Sequence, residues 1–314
     1  MKKIAVYQKG NKISLNLQNY LKNIISINND VYILKGINNG YNISINAVKD
    51  DCNIDEIVSN IKSFMIPTEE YSIKEINNLK KILMMTENTK ITESEILKDC
   101  VKVYEDTTNT KFLNSFQYNL YSLISHKLDL SLKDNYFKEN KIECLVKLFS
   151  DIAHKFHKYV IDEHLRIDGG VSHYSHYVGF INTLDENLRS KIIKDFNSRL
   201  ENMNEVKENE LNFRYLDIEN IKELISIAIN NNEIDFYYPL KREDVLNRDQ
   251  YASENHKKLW TNPLYVSVIE KNIDLIAIRT ILNIMYEKIL LLNFSVIDKF
   301  FANYAIAKEF NYIK

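Results

Sequence analysis

Residues 169–180 read GGVSHYSHYVGF and set His173 and His176, two of the seven histidines, one helical turn apart with a tyrosine after each. On a helix capped by Ser172 the two imidazoles share one side, which Phe180 continues, while Tyr174 and Tyr177 line the adjacent side. Imidazoles titrate near neutral pH and phenols donate hydrogen bonds, so the group suits proton transfer at the mouth of a cleft. Gly179, in the same helix, leaves room for a backbone or ligand to approach. The same rings also suit a purely structural bridge, with apolar bodies buried and polar tips wet.

Other polar groups stand out against apolar surroundings. Arg279, Asn283 and Tyr286 recur at i, i+4 and i+7 within LIAIRTILNIMYEKILLLNF, so they either anchor a loop or line a pocket. EHLRIDGG puts His164 and Arg166 just before a glycine break, where they fit a bound carboxylate or the negative end of a helix dipole. Asp151, His154 and His157 have the spacing of an incipient metal site, but the flanking Lys155 and Lys158 and the lack of an H-E-x-x-H pattern favour a solvated face. Neither a phosphate-binding glycine loop nor a nucleophile elbow occurs. No metal or cofactor is therefore expected.

Positioning these groups falls to elements that can be read from periodicity. KKIAVYQ alternates as a strand does, and LNLQNYLKNIISI places Leu17, Leu21, Ile24 and Ile25 on one helical face before stopping at Asn28. VYILKG and YNISINAV form a hairpin around Asn38, Asn39 and Gly40, and NIDEIVSNIKSFM is a helix capped by Asn53 with Glu56. The order β-α-β-β-α is half of a split βαβ arrangement. After Pro67 the pattern turns helical, with helix starts at Ser72/Glu75 and Thr92/Glu95, and residues 140–167 read as one long amphipathic helix. Further on come a helix through LRSKIIKDFNSRL, short strands at FRYLDIE and EIDFYYPL around a helix at 219–230, and two apolar helices beyond Pro263, the last capped by Ser295. The expectation is an α+β protein: a small N-terminal sheet unit at 1–105 and a helix-rich part at 106–314, with a few short strands, that carries the site.

Composition narrows the partners. A chain of 314 residues, 45% hydrophobic and 27% charged, folds throughout. A net charge of −2 gives no broad attraction for nucleic acid or an anionic membrane. Cys52, Cys100 and Cys144 make no C-x-x-C pair and read as thiols of a reducing cytoplasm. MKKIAVYQKG lacks the apolar core of a signal peptide, and Arg279, Glu287 and Lys288 interrupt the longest apolar run, which argues against a membrane span. A homodimer is allowed.

Three stretches carry a likeness to a known family: VYILKGINNGYNISINAV, SHYSHYVGFINTL and RTILNIMYEKILLLNFSVIDKFFANYAIAKEF. Together they resemble the C-terminal elimination domain of lantibiotic dehydratases and the stand-alone thiopeptide-type bacteriocin biosynthesis proteins, including the pyridine-forming cyclases. The resemblance implies chemistry on a ribosomally made precursor peptide with a leader. In its elimination form, a partner dehydratase component esterifies serine or threonine with glutamate, and this protein expels the glutamate to leave a dehydroamino acid. His176 would then be the base or acid, with Arg279 or Arg166 assisting the leaving group. In its cyclase form, two dehydroalanines add in a formal [4+2] reaction, and loss of water and leader gives a pyridine, which suits Tyr174, His176 and Tyr177. Ser172, His173, Asn283 and Tyr286 would contact the substrate in either. The family's paired arginines have no counterpart in the first stretch, where Asn42, Ser44 and Asn46 stand. A third reading is a non-catalytic module whose exposed hairpin edge captures the leader by strand addition.

Overall fold

The structure, a computed structural model, describes residues 1–9, 13–37, 39–50, 52–87, 96–106, 112, 114–156, 159–160, 166–204, 211, 217–235, 238, 263 and 272–313. It is α+β, as the patterns predict, and divides into two compact units, Met1–Phe137 and Lys138–Lys314. Residue 105 lies within the first of these.

The first unit runs β1 (Lys2–Tyr7), α1 (Leu15–Ile27), β2 (Tyr32–Gly36), β3 (Asn42–Val48), α2 (Ile54–Phe64), α3 (Ile73–Glu87), β4 (Cys100–Glu105) and α4 (Ser115–Leu132). Its sheet has the order β2-β3-β1-β4 with every pair antiparallel, which completes the split βαβ arrangement. On α1, Leu17, Leu21, Ile24 and Ile25 are the buried residues, as their spacing requires. Asn39 (φ 55°) and Gly40 (φ 119°) turn the hairpin, and a side chain on Gly40 would meet Leu97 O at 2.5 Å. Asn53 caps α2 and its amide donates to Glu56, while Ser72 and Glu75 cap each other at the start of α3. Thr92 and Glu95 fall outside the described residues.

Two expectations need correction in this unit. The stretch after Pro67 is not helical throughout, because Cys100–Glu105 pairs with β1 as β4. CVKVYE has the β-branched and aromatic residues of a strand, but its largely exposed edge position weakens the apolar alternation that would reveal it. The hairpin edge, expected to be open, is covered by α4. Ile33 N donates to Asp129 Oδ2 at 2.8 Å, and His126 Nδ1 sits 2.8 Å from Val31 O.

The second unit contains α5 (Ile142–Ala153), a two-stranded ribbon of β5 (Tyr159–Val160) and β6 (Arg166–Ile167), α6 (Gly170–Ile181), α7 (Glu186–Glu201), α8 (Ile218–Asn230), α9 (Ile273–Lys288) and α10 (Val296–Glu309). The long helix expected at 140–167 therefore stops at Ala153, and further on Tyr159–Val160 and Arg166–Ile167 pair as the ribbon. The chain returns so closely over the end of α5 that a side chain on Gly169 would lie 1.9 Å from Ala153 O, so glycine is required there. Helical periodicity cannot report a reversal fixed by a residue sixteen positions later. Nor do the expected flanking strands appear in their described parts: Asp217 caps α8, Ile218 and Glu219 are helical, and the chain bends at Glu233 and Ile234. Ser295 caps α10 through a full capping box with Asp298, as expected. No helix among the described residues is long and apolar enough to cross a membrane.

Candidate functional site

Asn303 stands in the apolar stretch FFANYAIA of α10 and is fully buried. Its Nδ2 donates to Lys299 O at 3.0 Å, and because a carbonyl only accepts, this fixes which end of the amide is oxygen. Oδ1 then receives Tyr286 Oη from α9 at 2.7 Å and faces His173 Nδ1 from α6 at 2.7 Å. An amide oxygen accepts, so Nδ1 carries the imidazole proton. The lone pair is left on Nε2, which is buried and has no hydrogen-bond partner among the described residues. Burial is the main influence on His173 and lowers its pKa to about 4, partly offset by the Asn303 bond, so the ring is neutral near pH 7. Burial also pushes the Tyr286 phenol up, the Asn303 bond partly opposing it, and the group stays protonated.

Aromatic contacts gather further groups around this hub. His176 meets the Tyr286 ring edge-on at 4.5 Å, and Phe149 of α5 packs against both Tyr286 (5.8 Å) and His173 (5.2 Å). Lys299 Nζ lies 5.0 Å from the Tyr286 ring centre and 4.5 Å from that of Phe300, which stacks on Phe180 at 3.9 Å. Asn283, one turn before Tyr286, has a buried Nδ2 without a hydrogen-bond partner. The arrangement joins a neutral imidazole with an available lone pair, a phenol that stays protonated and an ammonium. Such a set can move protons without holding a charged base.

The remaining expected residues go elsewhere. Ser172 does not cap α6, whose N-cap is Gly169. Instead Asp168 accepts from Gly170 N at 2.9 Å, because the helix begins two residues before Ser172. Tyr174 stacks on Tyr312 at 5.2 Å, while Tyr177 is buried against Tyr304 at 5.1 Å with its phenol raised to about 12, chiefly by burial. A side chain at Gly179 would meet open space, so the close approach belongs to Gly169 and Gly170, the latter against Phe310. Arg279 Nη2 donates to Tyr238 O at 3.0 Å. Arg166 begins the second strand of the ribbon, and His164 lies outside the described residues. Asp151 pairs with Lys147, and His154 is held by Ser150 O and lies 3.5 Å from Glu309, while His157 is not described. Among the described residues, no three potential metal ligands converge.

Sequence reasoning missed Asn303, Phe149 and Lys299. A polar residue within FFANYAIA was the available signal, the same one that singled out the α9 stripe.

No protein-family model and no curated protein sequence matches the chain. Among solved structures, the chain is similar over 98% of its length to 96% of TbtD, described as a pyridine synthase from thiomuracin biosynthesis, with a TM-score of 0.60 at 10% identity. TsrL aligns over 99% of this chain and 95% of its own, with a TM-score of 0.47 at 11% identity. The first likeness shows a shared fold.

Proposed function

We propose that the protein is a tailoring enzyme acting on a leader-bearing, dehydroalanine-containing precursor peptide, and that it forms a pyridine by formal [4+2] addition. The Asn303-centred cluster carries this reading, and the fold shared with a pyridine synthase supports it. The addition consumes two C=C bonds and forms two C–C bonds, after which water and the leader peptide leave. The enzyme must therefore hold two flat alkenes together and shuttle protons. Tyr286, Phe149 and the Phe180–Phe300 stack offer aromatic surfaces to planar groups. In this reading the single Tyr286 O–H turns from Asn303 Oδ1 to the carbonyl oxygen that departs as water, and His176, on the edge of its ring, takes and returns the proton. His173 and Asn303 hold the phenol in place, while Tyr174 and Tyr177 pack α6 in position.

Elimination of glutamate would need cations for the departing carboxylate. Arg279 donates to Tyr238 O, Arg189 to Ile181 O and Leu184 O, and Arg199 is paired with Asp298. Because the fold is shared with a pyridine synthase, we prefer the cyclase to elimination, which would also require a glutamylating partner.

Mass spectrometry of the dehydrated precursor peptide provides the test. Wild-type protein is expected to remove water and leader, and His176→Ala and Tyr286→Phe each to slow this by about 100-fold or more. Release of glutamate from an esterified peptide would replace the proposal with elimination. An unchanged mass despite tight peptide binding would leave a non-catalytic binding module.

A further inference from the structure

Lys299 lies on the turn of α10 before Asn303. Its ammonium contacts the faces of Tyr286 and Phe300 and, among the described residues, forms no ion pair. Lys222 and Lys98 are differently served: Lys222 reaches Glu219 at 3.0 Å and Asp274 at 3.1 Å, and Lys98 reaches Glu70 at 2.6 Å. Lys308 donates to Asn197 Oδ1 at 2.9 Å. Burial lowers the Lys299 pKa, which is the sign of a charge that has lost water and gained no oxygen in exchange. Ring faces compensate such a charge only in part.

The position gives this imbalance a use. Tyr286 is the ring that Lys299 covers, the ring that His176 meets edge-on and the donor to Asn303. An oxygen reaching the ammonium would therefore stand against the Tyr286 ring, on which His176 also packs. We propose that Lys299 is the oxygen-binding cation of the site and holds a peptide carbonyl oxygen of the substrate on which negative charge develops during ring formation. This rests on the cyclase reading for its substrate. A carbonyl is favoured over a full carboxylate because the ammonium is poised among neutral groups, where a partial charge that grows in the transition state gains most.

The test uses the full chain and three forms: wild type, Lys299→Met and Lys299→Arg. With dehydrated precursor peptide, Lys299→Met should lower kcat about 100-fold with KM within about threefold and an unchanged or higher melting temperature, and Lys299→Arg should recover part of the loss. Turnover of Lys299→Met within threefold of wild type would overturn the assignment. If wild type itself shows no cyclisation, the enzymatic reading fails on its own. The lysine is then tested separately by reductive 13C-methylation and NMR, with the Lys299 signal assigned by its absence in Lys299→Met. A shift of that signal on adding N-acetyl-dehydroalanine methylamide supports the carbonyl site. A shift with sodium glutamate alone, or with neither probe, overturns it.

Discussion

Asp129 in the first unit and Asn303 in the second are both fully buried, and each accepts hydrogen bonds from buried donors, yet their networks end differently. Asp129 takes the backbone N–H of Ile33 and the phenol of Tyr136, itself fully buried, so the donors close the sheet edge and lead nowhere. Asn303 takes an imidazole and a phenol that each present another working surface: the Nε2 lone pair of His173, and the Tyr286 ring shared by His176 and Lys299. Burial of polar groups is thus no signature of function. What separates the two is whether the network is complete without a ligand, since an incomplete one costs stability that a purely structural network has no reason to forgo.

The largest effect expected from that contrast is on folding. Asp129→Ala strands two buried donors and should cost about 3–5 kcal/mol in urea denaturation, whereas Asn303→Ala should cost about 1–3 kcal/mol and chiefly reduce turnover per folded molecule. Equal stability losses with turnover intact would make Asn303 a structural group like Asp129. Next in size is the response to acid. The folded state holds His173 at about 4 against an ordinary 6.5, so the unfolded chain binds the proton first. Stability from this group is complete above pH 6.5 and drains away as pH falls toward 4, by on the order of 3 kcal/mol in total. His173→Phe should flatten that part of the profile, and a profile identical to wild type would place the ring in water.

Smaller shifts sharpen the same comparison. Asn283→Leu removes a buried donor that has no hydrogen-bond partner, so stability should hold or rise by about 1 kcal/mol while turnover falls roughly tenfold. A stability loss without a turnover loss would assign Asn283 to packing. Ser295→Ala breaks the capping box of α10 and should lower stability by about 1 kcal/mol, leaving turnover per folded molecule unchanged. Loss of activity beyond the unfolded fraction would show that the start of α10 belongs to the site.

Features set within a few residues were legible in the sequence: the α1 stripe, the Asn39–Gly40 turn, and the caps at Asn53, Ser72 and Ser295. The His173–His176 pair and the Tyr286 stripe were legible as two separate periodic signals, but not that they meet. Illegible features depend on distant partners. Asn303 meets His173 across 130 residues, and the end of α5 is dictated by Gly169 passing over it. β4 was hidden for a related reason, since an exposed edge strand keeps little of the burial that writes alternation into a sequence. Side-chain type pointed to the right helices, but direction along them decided which tyrosine reaches the cluster: Tyr286 does, and Tyr174 turns to Tyr312.

The place of β1 in the sheet has a consequence for synthesis. Its two neighbours are β3, soon made, and β4, whose Cys100 pairs with Tyr7 only after nearly a hundred further residues. At roughly 5–20 residues per second, the nascent chain holds its central strand with one side unpaired for several seconds. That interval, while residues 49–105 emerge, is when the growing protein is most exposed to mispairing with its neighbours on the polysome, and faster translation of this segment should raise soluble yield.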